Sequence, residues 1–373
     1  MDYSKLINFP ALLAKNTNVK TSDLKIKSKE NISIIKYNKE YINNDNIDSL
    51  GLFRSIISDG KKILSNSPGK SYEYKNFITM YNFEDCIIEE FVEGTMLHCF
   101  YTDQWRIATR FCLDANSKFY RDKKKNFREL FLETMAIKNF NFDLLNKQYS
   151  YIFILQHPEN RIVTPFDNAN IVLLEIYENE GFISKKKNIY LEEFDELRNF
   201  MKTPKKINDC SSWEDLERKY GGVSCDWKIP GVMIKSSDNK RTKIRNSNYE
   251  YIKMLKGNNP KMQFQYYHLR KCGKVKEFLK YYPENKKQFS EFRDDLHNWT
   301  IQLWKNYLNC FVKHLNPIED FPFQYKPHMI NLHEIYLENK KRIKFHVTKM
   351  VVINYVNSLE PARLMFAVNY HNR

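Results

Sequence analysis

The residues of this chain that could do chemistry gather at turns. Arg54 lies in LFRSIIS, and Lys70 follows the Pro-Gly turn of SNSPGKS. An arginine grips phosphate bidentately and a lysine acts as a point charge, so the pair is a candidate phosphate clamp. FVEGTM sets Glu93 and Gly94 between two apolar runs. A carboxylate there can accept a ribose hydroxyl, and a glycine lets a ligand approach the backbone closely. QHPENRIVTPF puts His157, Asn160 and Arg161 around a proline turn, where they suit a ligand or the loop's own backbone equally. GVMIKSSDNKRTKIRN offers Lys235, Arg241, Lys243 and Arg245. Lys243 and Arg245 are two apart on a predicted strand and share a face, which fits them to clamp a triphosphate or a nucleic-acid backbone. Taken singly, each group also reads as an ordinary turn or a solvated surface. No Ser or Cys nucleophile motif accompanies His157, and the sequence holds no Walker loop, GxGxxG, HExxH or EF-hand loop.

Short β-rich runs must position these residues. NISIIKY, LFRSIIS, KKILSNS, DCIIEEFV, TMLHCFY and WRIATRF are broken by the turn signals SDG, SPG, EG and TDQ. KNFRELFLETMAI has helical spacing, YSYIFILQH and NIVLLEIYE return to strand, and YLEEFDELRNFM and SWEDLERKY read as helices. Ser212 is the predicted N-cap of the last, with Asp215 three residues on. IPGVMIKSS and RTKIRN form a predicted hairpin around SDNK. After KGNNP the pattern changes to long helix-periodic stretches, in which Trp299, Trp304 and Phe311 are expected to be core. The expected organisation is an N-terminal arm over 1–30, a strand-rich domain over 31–256 and a helical domain over 257–373.

The formal charge is +15 with a pI near 9.2, the electrostatic footprint of a polyanion binder, although a Lys- and Asn-rich composition also follows from an AT-rich genome. No apolar run approaches the length of a membrane span, so no membrane contact is expected. The N-terminus lacks a basic start followed by an apolar block. Seven Cys without a CxxC pair argue against a structural zinc site or a disulfide framework and for a reducing, intracellular setting.

The order of these pieces is more specific than any one of them. A strand with Arg, a Pro-turn Lys, xxEGT, a PxNRIV turn and a Gly-Val strand followed by KxR resembles the covalent nucleotidyltransferase superfamily of ligases and capping enzymes. It looks most like the phage-type RNA ligases, over about residues 50 to 250, with HPENRIV as the ungapped part. The whole chain, including its ending YVNSLEPARLMFAVNYHNR, also looks like proteins carried by large DNA viruses.

The resemblance implies an α+β fold: an antiparallel-sheet nucleotidyltransferase domain followed by helices. It implies ATP and Mg²⁺ as cofactors, and RNA or nucleotide as partner. In that family a lysine attacks the ATP α-phosphate, and the AMP then passes to an RNA 5′-phosphate. Arg54, Lys70, Arg110, Asn160 and Arg161 fit its basic and turn positions. Glu93, Gly94 and Thr95 fit the nucleophile motif. Lys243 and Arg245 fit the last basic pair, whose lysine would contact the α-phosphate. Three positions depart from the pattern. Phe91 stands where the nucleophilic lysine belongs, and Ile154 and Pro230 stand where carboxylates belong. No metal ligands are assigned. The expected function is a degenerate ligase-like protein that holds nucleotide or RNA phosphates in a basic cleft without self-adenylylation. One alternative is an active ligase with Lys70 as relocated nucleophile. Another is a viral structural or packaging protein in host cytoplasm or virion, with a protein partner at the C-terminal helices.

Overall fold

The structure, a computed structural model, describes residues 19–119, 124–340 and 345–372. The fold is α+β. The chain divides near residue 254 into two compact units. Most of the expected 1–30 arm lies outside the described residues; its end, Leu24–Lys29, is an edge strand.

The first unit holds three antiparallel sheets. One has the order β1 (Leu24–Lys29), β2 (Ile32–Tyr37), β3 (Ile56–Ser58), β4 (Ile63–Asn66). The segment around Arg54, expected as strand, begins instead as a 3₁₀ turn, Leu50–Arg54, and only its end is β3. The turn wins because Leu50 and Phe53 both bury against Ile35, Ile56 and Ile63, which a period-two strand cannot arrange. A short helix α1 (Tyr74–Ile78) leads to β5 (Cys86–Glu90). Strands β6 (Thr95–Tyr101), β7 (Trp105–Thr109) and β8 (Cys112–Leu113) follow. Next come helix α2 (Phe127–Ile137), β9 (Tyr149–Gln156), β10 (Asn170–Glu180) and β11 (Ile183–Lys187). The six-stranded sheet runs β11-β10-β9-β6-β7-β8.

β9 reads YSYIFILQ, and its interior is buried on both faces, as suits a central strand made of aromatic and β-branched residues. One face of this sheet packs on α2, with Leu97, Phe153, Leu155, Ile171, Leu173 and Ile176 against Phe131 and Met135. Asn126 caps α2 and Glu129 completes the capping box. The other face carries His98, fully buried between the Ser55 hydroxyl at 2.9 Å and the Ser65 hydroxyl at 2.8 Å. Burial and the nearby Arg54 charge push this imidazole down to about 3.

Helices α3 (Asp195–Phe200) and α4 (Trp213–Gly221) precede the third sheet. The Ser212 hydroxyl accepts the Asp215 N–H at 3.2 Å and caps α4 as the sequence predicts. The hairpin β12 (Gly231–Ser236) and β13 (Arg241–Arg245) then adds β5 at its edge, in the order β13-β12-β5. Val232, Ile234, Ile244 and Ile88 bury one face of that sheet against Phe77 and Leu216. Helix α5 (Ser247–Lys256) follows.

The second unit is helical: α6 (Met262–Lys271), α7 (Val275–Tyr281), α8 (Lys286–Tyr307), α9 (Lys326–Asn339), α10 (Lys349–Ser358) and α11 (Pro361–Val368). Its core is aromatic. Phe278 stacks on Phe289 at 5.0 Å between centroids, and Trp299 on Tyr325 at 5.6 Å. Trp299 is buried as expected, whereas Trp304 and Phe311 are half-buried. No helix among the described residues is long and apolar enough to cross a membrane.

Gly231 opens β12 with φ +122°, and a Cβ there would lie 2.1 Å from the Ile244 carbonyl oxygen. The neighbouring strand backbone cannot retreat without breaking the hairpin ladder. Gly231→Ala is expected to cost at least ~1 kcal/mol and lower Tm by roughly 2–4 °C or more in thermal unfolding followed by circular dichroism.

Candidate functional site

The free face of β13-β12-β5 is one wall of a cavity of about 350 Å³ in the first unit. Pairing fixes which side chains it shows. Lys243 faces Met233, and Met233 faces Glu89 on the other side. Arg241 pairs with Lys235 and Arg245 with Gly231. Alternation therefore turns Arg241, Lys243, Arg245, Met233, Lys235 and Glu89 together toward the cavity. The six-stranded sheet adds Met96, Ile154 and Leu174, and the loops add Arg54, Lys70, Phe91, Glu93, Gly94 and Arg110.

So seven of the predicted residues line one cavity: Arg54, Lys70, Glu93, Gly94, Arg110, Lys243 and Arg245. Two do not. Asn160 donates to the Thr95 hydroxyl at 2.8 Å, and Arg161 donates to the Val163 carbonyl at 2.8 Å. Their loop needs these bonds for itself, and only the adjoining Ile162 reaches the cavity. His157 is buried, accepting the Glu159 N–H at 3.1 Å.

Two residues inside the cavity do a different job from the one expected. The Glu93 carboxylate is buried and accepts the Val163 N–H at 2.7 Å and the Thr164 N–H at 3.1 Å. It clamps the 162–164 loop and is not open to a ribose. Gly94, at φ +148°, would place a Cβ 2.5 Å from both Ile154 Cγ2 and the Leu155 carbonyl oxygen. Its missing side chain lets the β5–β6 connection press on β9; close approach is needed by the protein's own backbone.

The cations divide in the same way. Arg241 is buried and donates to the Gly69 carbonyl at 2.9 Å and the Pro68 carbonyl at 3.3 Å. Arg54 donates to the Pro68 carbonyl at 3.3 Å. Burial, then the charges of Arg241 and Arg110, push Arg54 down to about 9, so it remains charged at neutral pH. Arg245 stacks on the Phe91 ring, its guanidinium carbon 3.8 Å from the centroid, and lies 3.4 Å from Glu250. Where the resemblance expects a nucleophile, an aromatic ring seats a guanidinium. Lys70, Arg110 and Lys243 are half-buried, and among the described residues their side chains have no hydrogen-bond or ion-pair partner. Burial pushes Lys243 down to about 8, and the charges of Arg245, Arg54, Arg241 and Lys70 push the same way.

Sequence reasoning missed the carboxylates. Lys235 lies 2.7 Å from Glu89 and 3.7 Å from Glu175, and Glu175 lies 3.2 Å from Lys186. Glu175 also accepts the Tyr177 hydroxyl. Burial alone would raise the Glu175 carboxyl; Lys186, Lys235 and Arg241 overcome it and hold the group at about 2. Glu175 faces this way because of a register shift between Leu173 and Glu175. Leu173 and Ile176 both enter the core on the far face, so the two residues between them turn toward the cavity side.

A divalent ion of the kind the resemblance implies finds no ready donor set here. Glu89 is ion-paired, Glu93 is spent on backbone N–H groups, Glu90 alone adds a further carboxylate to the lining, and Ile154 and Pro230 occupy the expected carboxylate positions. The residues do not fit a resident metal; such an ion would arrive on a nucleotide's own phosphates. Elsewhere, Glu133, His157 and Glu159 come together, but the Lys125 ammonium already bridges the two carboxylates at 2.6 and 3.0 Å.

Comparison with known proteins yields no matching family model. Over 95 residues, 23% of this chain, the sequence is 35% identical to an RNA ligase of Rhodothermus phage RM378. The match spans about a fifth of that ligase, 22% of its length. Over that stretch the chain is similar to an RNA ligase, the family that the motif order resembles. Among solved structures, a Naegleria gruberi RNA ligase with ATP and Mn is similar at 13% identity and TM-score 0.39, over 52% of this chain and 59% of that one. A putative ATP-dependent DNA ligase from Aquifex aeolicus is similar at 14% identity and TM-score 0.40, over 77% and 78%.

Glu175→Gln removes the shared partner of two lysines and leaves Lys186 without a counter-charge. It is expected to cost roughly 3 kcal/mol or more in urea unfolding at pH 7. In the native protein the stabilisation due to Glu175 is complete above its unfolded pKa near 4.5 and is lost as pH falls toward about 2. The variant's stability is therefore expected to vary less than the native protein's across that acid window.

Proposed function

We propose that the first unit is a ligase-like pocket that holds the phosphates of a nucleotide or of an RNA end. The observation that carries this is the set of three cations, Lys70, Arg110 and Lys243, directed to one half-buried cavity without partners among the described residues. Removing charges from water without pairing them is costly, and an anionic ligand repays that cost. Arg54 and Arg245, each already oriented by a protein group, add fixed donors to the lining. Beside the cations lie Met96, Ile154, Ile162, Leu174 and Met233, an apolar surface suited to a base. A ligand with an anionic chain at one end and a flat apolar ring at the other matches both halves of the lining. The 95-residue likeness to a phage RNA ligase supports an RNA end, or the ATP used on it, as that ligand.

Residue 91 cannot form the lysyl–AMP of the ligases, because a phenyl carbon has no lone pair to attack phosphorus. Whatever the pocket binds is held in the first instance by charge and shape.

Lys70→Ala and Arg110→Ala are each expected to weaken binding of ATP and of a 5′-phosphorylated RNA by roughly tenfold or more, since each removes a charge-assisted contact worth ~1.5–3 kcal/mol. Each should also reduce the slope of log K against log salt for RNA by about one unit or less. Isothermal titration for ATP and fluorescence anisotropy at several salt concentrations for RNA check this. Unchanged affinity in both variants contradicts the proposed site.

A further inference from the structure

Four lysines line the cavity, and they are not equivalent. Lys235 is ion-paired to Glu89 and Lys253 to Glu250. Lys70 sits on the Pro-Gly turn at one wall. Lys243 occupies the centre of the β13 row, with Arg241 and Arg245 on either side along the strand and Met233 beside it on β12. Its half-buried stem fixes the direction of the amine, and no carboxylate or carbonyl among the described residues claims it.

A lysine must be neutral to act as a nucleophile, and a surface lysine almost never is at neutral pH. Lys243 meets that requirement by position. Burial and the four surrounding cations bring it down to about 8, so on the order of a tenth of the molecules carry the neutral amine at pH 7. The arginines around it stay charged at neutral pH, so they remain to neutralise a developing phosphate charge while the amine reacts.

We propose that Lys243 is the nucleophile of this pocket and carries out from β13 the step that Phe91 cannot perform from the end of β5. The inference rests on the pocket being a nucleotide site. The Lys243 Nζ lone pair attacks the α-phosphorus of a bound nucleoside triphosphate. A P–N bond forms, the bond from the α-phosphorus to the bridging oxygen breaks, and pyrophosphate leaves with that electron pair. The proton lost by the amine passes to solvent. The product is a nucleoside monophosphate joined to Lys243, with Arg54, Arg110 and Lys70 placed around the pyrophosphate that departs. The chemistry is the family's; the residue and the strand that supply it are different.

The test is incubation of the full chain with ATP and Mg²⁺, then intact mass and peptide mapping at neutral to alkaline pH, because a P–N bond to lysine is acid-labile. ATP binding is measured in parallel by titration calorimetry. The expected result is one AMP per chain on the peptide holding Lys243. Its rate of formation should rise by about tenfold as pH goes from near 7 to above 8, following the neutral amine. Lys243→Arg keeps the charge and has no comparable nucleophile, so it should form no adduct. An adduct on Lys70 or another residue overturns the inference. So does bound ATP without any adduct, an outcome that leaves the phosphate-binding reading standing. No ATP binding at all overturns the inference together with the nucleotide reading it rests on, and leaves the RNA-end reading to its own test.

Discussion

Lys235 joins the two sheets that wall the cleft. Its ammonium meets Glu89 of its own sheet and Glu175 of the six-stranded sheet, and Glu175 is held in turn by Lys186. Charges this deeply placed are stable only as a set. The chain of ion pairs fixes the spacing of the walls, and with it the distance between the β13 cations and the apolar floor at Met96 and Ile154. Arg241 ties the same hairpin to the Pro68–Gly69 turn that carries Lys70. The cleft is thus drawn together by charges already paired or hydrogen-bonded within the protein.

That arrangement separates two uses of positive charge in one cavity. Arg241 and Lys235 are spent on structure, and Arg54 and Arg245 are oriented by a carbonyl and an aromatic ring. Lys70, Arg110 and Lys243 are left over. A basic count alone does not distinguish these uses, since all seven side chains line the same space. The partner list does, because a charge already neutralised or hydrogen-bonded has little to gain from a ligand. The Phe91–Arg245 stack belongs to the same logic. A lysine at position 91 would set two cations against each other at the site of the ring, whereas the ring turns that contact into an attraction.

Much of this was legible in the residues. The turn signals and β-rich runs located most strands of the first unit, Ser212 marked the start of α4, and helical spacing marked α7, α8 and α9. Arg54, Lys70, Glu93, Gly94, Arg110, Lys243 and Arg245, singled out by the motif order, line one cavity. The two-residue spacing of Lys243 and Arg245 placed them on one face because strand period two is a local property of the backbone.

Other features depend on contacts between distant segments. The identities of Glu93 and Gly94 could be read from the sequence, but not that their partners are the 163–164 amides and the β9 backbone. Asn160 and Arg161 were expected at phosphate and instead hold their own loop. The clearest case is Glu175. Strict alternation along NIVLLEIYE places it with Leu173 in the core, where a carboxylate has no partner; a shift of one residue turns it to the lysines. The sequence by itself determined which residue types are present and the period of each element. The tertiary structure alone decided which charges are paired, and so which remain for a ligand, because pairing at 3 Å is set by register and packing between strands far apart in the chain.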